Sequence, residues 1–270
     1  MKNLAERVVV VTGAASGIGR ELAIQAAGKG ARLALCDVDA AGLQETADQA
    51  SAPTMLTETV DVADRAAVEA FRDRIVAEFG QVDLVINNAG VAVAQTIEDV
   101  SYDDFEWIMG INFWGVVYGT KAFLPELKKR PEAAVVNISS VFGIISVPTQ
   151  GTYNASKFAV RGFTEALRHE MAGTPVQVLC VHPGGIKTNI ARSARFYVGP
   201  TGEDRGAGVS HFDKVARTTP AGAARKIYKD LAAGKGRCLI GADAVAIDAL
   251  QRSLPERYWS VAKKLLKVGN

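Results

Sequence analysis

Tyr153 and Lys157 stand four residues apart in the stretch GTYNASKFAV, residues 151–160. On a helix that spacing puts a phenol and an ammonium one turn apart on the same face. Such a pair reads in two ways. As a solvated contact it does no chemistry. As a working pair, the ammonium favours the phenolate, so a hydroxyl whose free pKa is about 10 becomes able to exchange a proton near neutral pH. In a partly buried cleft a lowering of about two to three pKa units is expected, each worth about 1.4 kcal/mol. The chemistry would then be general acid/base transfer to or from an alcohol oxygen. Ser140 lies at the end of an apolar run, where ligands of open α/β sheets bind, and its hydroxyl could orient that oxygen.

A second group of residues supplies a place for a nucleotide. The run RVVVVTG (7–13) leads directly into TGAASGIGRELA (12–23), with Gly13, Gly17 and Gly19 where a strand turns into a helix. Glycines there let backbone N–H groups, including those around Ser16 and Ile18, approach a pyrophosphate that the helix N-terminus attracts. The spacing is GxxxGxG rather than GxGxxG. Asp37 follows 18 residues after Gly19 (37 − 19), at the end of the run ARLALCD. A carboxylate at that place accepts both ribose hydroxyls of NAD and repels the 2′-phosphate of NADP. No Arg or Lys occurs in 36–40, and Ser16, not a basic residue, precedes Gly17, so NAD is expected over NADP. Asp37 could instead cap a helix, but Asp39 is better placed for that.

These residues need a scaffold, and the pattern of the chain names one. The segments 7–13, 31–37, 82–90, 133–140 and 176–184 are apolar throughout, as parallel strands covered on both faces are. Between them, apolar residues recur at helical spacing in 17–29, 64–79, roughly 103–129 and roughly 153–172. The alternation predicts an α/β fold, a single Rossmann-like domain over 1–270 with a doubly wound parallel sheet and helices on both faces. The glycine-rich stretch within 188–219 is expected to form a substrate lid. A C-terminal helical segment, 242–268, is expected to close the pocket or pack on a second subunit. Lying on a membrane surface is the less favoured alternative.

Composition narrows the classes. Of 270 residues 48% are hydrophobic and 22% charged, and a net charge of +2 gives no reason to expect nucleic acid or a charged membrane. Cys36, Cys180 and Cys238 are odd in number and widely spaced, which suggests reduced, buried thiols in the cytoplasm. The apolar run at the N-terminus breaks at Gly13, unlike a signal peptide, and no run approaches the roughly 18 residues of a transmembrane helix. His169 and His182 lack partners at metal or triad spacing. Neither HExxH nor GxSxG occurs, so no metal and no hydrolase is expected. His182, beside Pro183, could touch a ligand bound there, but it reads more readily as a packed, hydrogen-bonded residue outside the mechanism.

Taken together, TGAASGIG, Asp61–Val62, NNAG (87–90), Asn112, Ser140, YNASK (153–157) and PGGIKT (183–188) resemble the short-chain dehydrogenase/reductase family, with every motif in order from about residue 5 to 190. The resemblance implies that Tyr153 is the catalytic acid/base and Lys157 its activator. It implies that Ser140, 13 residues before Tyr153 (153 − 140), binds substrate, with Ser139 the weaker candidate, and that Asn112 holds a water in a proton relay. Asp61 and Val62 would cradle adenine, Asn88, Ala89 and Gly90 would line the cofactor, and Pro183, Gly184, Ile186 and Thr188 would lie along the nicotinamide. A homodimer or homotetramer is implied as well. The expected function is NAD-dependent interconversion of a secondary alcohol and its ketone. The alternatives are a non-catalytic NAD-binding sensor, which would typically have lost Tyr153 or Lys157, and a sugar-nucleotide epimerase or dehydratase. Val141, Phe142, Ile144, Ile145 and Val147, with Phe196 and Tyr197, would line a pocket for a hydrophobic substrate, cyclic or steroid-like shapes included.

Overall fold

The central strands are built from residues that have no polar face to offer. Val8, Val9, Val10 and Val11 of β1 (Val8–Thr12) are all 0% exposed. Val9 and Val11 belong to a core with Leu22, Ala26 and Ile227, whereas Val8 and Val10 belong to another with Phe71, Ile75 and Phe123. Successive side chains point to opposite faces of a strand, so both faces of β1 are covered.

The computed structural model describes residues 1–200 and 202–265. Seven parallel strands form one sheet in the order β3-β2-β1-β4-β6-β7-β9. They are β1, β2 (Arg32–Asp37), β3 (Met55–Thr59), β4 (Leu84–Asn87), β6 (Ala133–Ile138), β7 (Val176–Pro183) and β9 (Arg237–Ile240). One core packs α1 (Gly17–Ala27), α2 (Ala40–Ala50) and α8 (Pro220–Ala232) on the sheet. The opposite core packs α3 (Arg65–Phe79), α5 (Gly115–Lys128) and α6 (Gly151–Glu170). The chain winds outward from β1 to β3 and then returns to β4 on the other side. A crevice therefore opens between the carboxyl ends of β1 and β4.

At the opposite end of these strands Asp83, 0% exposed, ties the sheet together. Its Oδ1 accepts from Arg7 Nη1 and Arg130 Nε at 2.9 Å each, and its Oδ2 accepts from Val8 N and Gln81 Nε2 at 2.9 Å each.

The predicted doubly wound sheet is present, and the differences lie at its margins. β3 and β9 escaped the apolar-run criterion because they are the two edge strands and keep partly exposed residues. α8 was not anticipated, and α2 only through Asp39 as the cap at its start. The helix expected over 103–129 is α4 (Tyr102–Met109) and α5 joined by a π-type turn over Gly110–Trp114, in which Gly115 N donates to Gly110 O. The 188–219 region is ordered into β8 (Arg195–Phe196), which pairs in parallel with β5 (Val93–Ala94), and α7 (Arg205–Val215). The segment expected over 242–268 is two helices, α9 (Ala242–Ser253) and α10 (Tyr258–Leu265). It breaks at Leu254 because the residue before Pro255 is driven out of helical conformation. Residues 266–268 of that expectation lie outside the described residues. Cys36, Cys180 and Cys238 are free and buried. No helix among the described residues is long and apolar enough to cross a membrane.

Candidate active site

The glycine turn is locked by its neighbours across the crevice. Gly13 has φ +65°, and a Cβ built on it would lie 2.6 Å from Ala89 Cα, so only glycine lets the turn lean on the segment after β4. Asn88 Nδ2 donates to Thr12 O and Gly13 O at 3.0 Å each, and the Thr12 hydroxyl accepts from Asn88 N and Ala89 N. Asn88 thus holds the turn in shape. A Cβ on Gly19 would collide with the Gly13 carbonyl oxygen, which brings the start of α1 hard against the turn. Gly17, at φ +55°, faces Thr188, whose Cγ2 would lie 3.2 Å from an added Cβ. Ser16 precedes α1 without a side-chain capping bond, whereas Asp39, Asp64 and Ser101 cap α2, α3 and α4. The first N–H groups of α1, at Gly17 and Ile18, therefore remain available to an external anion.

Asp37 ends β2 beside this turn. Its Oδ2 accepts from Ala15 N at 2.9 Å and its Oδ1 from Asp39 N at 3.1 Å. Asp39 caps α2, as expected, through Gly42 N. Asp61 follows β3, exposed, with Oδ1 accepting from Ala63 N at 2.9 Å, and Val62 is buried against Gly115. A cradle of close-packed glycines, an uncapped helix start and a carboxylate at the end of the second strand is the donor and acceptor set that a dinucleotide needs. The residues present fit it.

Across the crevice α6 carries Tyr153 and Lys157 one turn apart. Ser140 follows β6, and its Oγ accepts from Phe142 N at 3.1 Å and is hydrogen-bonded with the Tyr153 hydroxyl. Lys157 is 3% exposed, its Nζ donates to Ile138 O at 3.1 Å, and it lies 5.7 Å from the centre of the Tyr153 ring. A Cβ built on Gly90 would sit 3.3 Å from Lys157 Nζ and 3.2 Å from Asn112 Oδ1. A continuous path of contacts thus runs from Gly13 through Ala89 and Gly90 to Lys157, Tyr153 and Ser140. Ser139, the weaker candidate, spends its hydroxyl on Lys157 O at 2.8 Å, a bond within the scaffold.

The electrostatics differ from the expectation. Burial pushes the Tyr153 phenol up to about 12, and the hydrogen bond with Ser140 only partly opposes it. Burial likewise brings Lys157 down to about 8, the Cys180 thiol acting weakly the other way. The expected lowering of the phenol by its neighbour is absent, because both groups are taken out of water and desolvation disfavours each charged form. Asn112 also departs from its simplest reading. Its Oδ1 accepts from Val91 N at 2.8 Å, and its Nδ2 donates to Val91 O and Ser156 Oγ at 3.0 Å each. The side chain is engaged, so a water bound at this residue would have to use the backbone. The π-type turn over Gly110–Trp114 departs from the regular i→i−4 ladder at this residue.

From the end of β7, Pro183, Gly184, Ile186 and Thr188 run toward the glycine turn, where Thr188 meets Gly17. Gly184 N donates to Ile240 O, Gly185 N donates to Asp243 Oδ2 at 2.6 Å, and Ile186 bridges to Thr218. Of the residues expected to line a pocket, Val141, Ile144 and Ile145 are buried in the core. Phe142 packs edge-on against Tyr153 at 6.1 Å between centroids. Tyr197 is largely exposed. The C-terminal helices reach this region through Tyr258, whose hydroxyl accepts from Ser146 N at 3.0 Å.

Several residues that shape the site carried no local signal. Asn154 Nδ2 donates to Phe142 O and Ile145 O at 3.1 Å each, pinning the loop after Ser140. Asp104 and Arg195 clasp the β8 segment to α4 at 2.7 Å. Thr12, Asn154, Ser156 and Asp104 are common polar residues whose partners lie elsewhere in the chain, and only folding brings them together.

Comparison with known proteins bears on the fold and the family. The family model for short chain dehydrogenase matches residues 7–196. The Mycobacterium tuberculosis protein named "Putative oxidoreductase SadH" is 47% identical over 263 residues, covering 96% of this chain and 94% of that one. A short chain dehydrogenase/reductase from Burkholderia phymatum, crystallised in complex with NAD, superposes with a TM-score of 0.86 at 31% identity, over 95% of this chain and 96% of that one. An alcohol dehydrogenase from Thermococcus sibiricus complexed with 5-hydroxy-NADP has a TM-score of 0.71 at 25% identity, over 84% and 90% of the two chains. With its sheet, its glycine turn and its Ser140–Tyr153–Lys157 cluster in place, this chain belongs to the short-chain dehydrogenase/reductase family.

Proposed function

We propose that the protein is an NAD-dependent oxidoreductase that interconverts a hydrophobic secondary alcohol and its ketone, with Tyr153 as the acid/base. The observation that carries this reading is the contact path from the glycine turn to the Tyr153 hydroxyl through Gly90 and Lys157. NAD, when bound, supplies the hydride acceptor. Ser140 hydrogen-bonds the substrate oxygen and sets its distance from Tyr153. In alcohol oxidation Tyr153 takes the hydroxyl proton, and in ketone reduction it returns one to the carbonyl oxygen. Burial keeps the free phenol protonated, which suits reduction directly. A positive charge brought into the site favours the phenolate that oxidation requires. Lys157, anchored on Ile138 O, would steady the negative charge of that phenolate and hold the ribose.

Both dinucleotides occur among proteins of this fold, so the fold does not choose between them. The choice of NAD rests on the Asp37 carboxylate, which would meet a 2′-phosphate with like charge. The 188–219 segment acts as the substrate lid, held by β8 and Arg195. Three buried thiols suit a reducing compartment, and we place the protein in the cytoplasm.

A panel of secondary alcohols with NAD, followed by the absorbance of NADH, tests the reading together with Tyr153→Phe. The wild type is expected to turn over, and the variant to lose turnover while still binding NAD. Substantial residual activity in the variant would remove Tyr153 from the mechanism.

A further inference from the structure

β6 and β7 part company at the active serine. Ser139 N donates to Val181 O at 2.8 Å just beyond the end of β6 at Ile138. The next carbonyl, that of Ser140, is off the ladder. It takes two other donors, Gly143 N and His182 Nδ1, each at 3.0 Å. A carbonyl can only accept, so His182 carries its proton on Nδ1.

The rest of the imidazole gains nothing from being polar. His182 is 0% exposed, and its Nε2 has no hydrogen-bond partner among the described residues. An unpaired buried acceptor is destabilising, and an apolar side chain would fill the same space without it. Burial above all, with Arg237 and Arg161 adding to it, drives the ring down to about 4 against the Ser140 bond and Glu165, so it is neutral in the working range. The Nδ1 bond to Ser140 is what distinguishes histidine from an apolar residue here. That bond fixes the peptide plane between Ser140 and Val141. The next peptide along the chain carries Phe142 N, which donates to Ser140 Oγ at 3.1 Å.

We propose that His182 is a positioning residue of the active site, holding the Ser140 backbone through its Nδ1–H so that the Ser140 hydroxyl stays against Tyr153. The proposal rests on the roles given above to Ser140 and Tyr153.

Two substitutions separate this from simple packing. In His182→Asn the side-chain amide nitrogen can occupy the place of Nδ1, and the orphaned Nε2 is gone. In His182→Leu the volume is kept and the donor lost. His182→Leu is expected to lower kcat roughly 10- to 100-fold, the scale of a displaced catalytic group, with the KM for NAD and the melting temperature unchanged. His182→Asn should stay within about threefold of the wild type on the same reasoning. In a Ser140→Ala background His182→Leu should add no further loss. Nitrogen NMR of the wild type should show the Nδ1-protonated tautomer, a readout that needs neither turnover nor a variant that folds.

Wild-type turnover in His182→Leu, equal impairment in both variants, a fully additive loss on Ser140→Ala, or the Nε2-protonated tautomer would each overturn the proposal. A wild type inactive on every alcohol and ketone would overturn the proposed function instead, and the tautomer would still test the bond.

Discussion

Replacing Arg195 by alanine is expected to open the 188–219 segment while leaving the sheet as it is. Arg195 Nη1 donates to Asp104 Oδ1 at 2.7 Å, and its guanidinium carbon lies 3.7 Å from the centre of the Trp107 ring. The Asp104 side chain is 7% exposed. Its carboxyl is held below the usual carboxylate range chiefly by Arg195, with Tyr197 and Ser101 assisting against burial. A charge-assisted hydrogen bond contributes about 1.5–3 kcal/mol and a cation–π contact about 0.5–2 kcal/mol. Because the Arg195 side chain is 42% exposed, solvent screening selects the low end of both ranges, about 2 kcal/mol together. That is about a 30-fold change in an opening equilibrium. Hydrogen exchange reads it directly. The Tyr197 and Val198 amides, bonded to Ala94 O, should exchange about 30-fold faster in Arg195→Ala. The Val10 and Leu35 amides, inside the sheet, should not change. The KM for substrate should rise if this segment is the lid. Acceleration below about threefold at Tyr197, or the same acceleration at Val10, would refute the reasoning. The clasp also has a pH signature. The Asp104 carboxyl is depressed relative to the unfolded chain, so its stabilisation is complete above about pH 4 and fades as pH falls through the folded value.

Asp37→Arg is expected to move the NAD-to-NADP preference in kcat/KM by about 10- to 100-fold toward NADP, the scale of one charged contact. A wild type that already prefers NADPH would end the Asp37 argument. Asp83→Asn should destabilise the fold by about 3–5 kcal/mol, because it unbalances a buried carboxylate facing two guanidinium groups. Thermal unfolding should show it as a drop of roughly 10 °C. Substrate and NAD KM should be unaffected, since Asp83 sits at the end of the sheet away from the crevice. Burial raises the Asp83 carboxyl, but Val8 N, Arg7 and Arg130 outweigh it and leave the group below its ordinary value. Its contribution in the wild type is therefore present above about pH 4 and lost in acid, and that acid limb should be missing in the variant.

The sequence alone determined the sheet and the stations around it. Four consecutive valines in β1 can be satisfied only by cover on both faces, and Gly13, Gly17 and Gly19 mark where backbone must approach backbone. Asp37, Ser140, Tyr153 and Lys157 fall at strand ends or one helical turn apart. Those are local relations, written in spacing. Tertiary structure decided what the local pattern does not encode. The edge strands β3 and β9 exist because a neighbour pairs with them, not because their residues are uniformly apolar. The direction of the Tyr153 shift depends on how much water the fold removes around it, and burial won over the charge one turn away. His182 read as inert because its partner, the Ser140 carbonyl, is 42 residues distant and is freed only where two parallel strands diverge. Spacing encodes which residues can share a face. Burial and long-range pairing fix what those residues are worth, and both are properties of the folded chain.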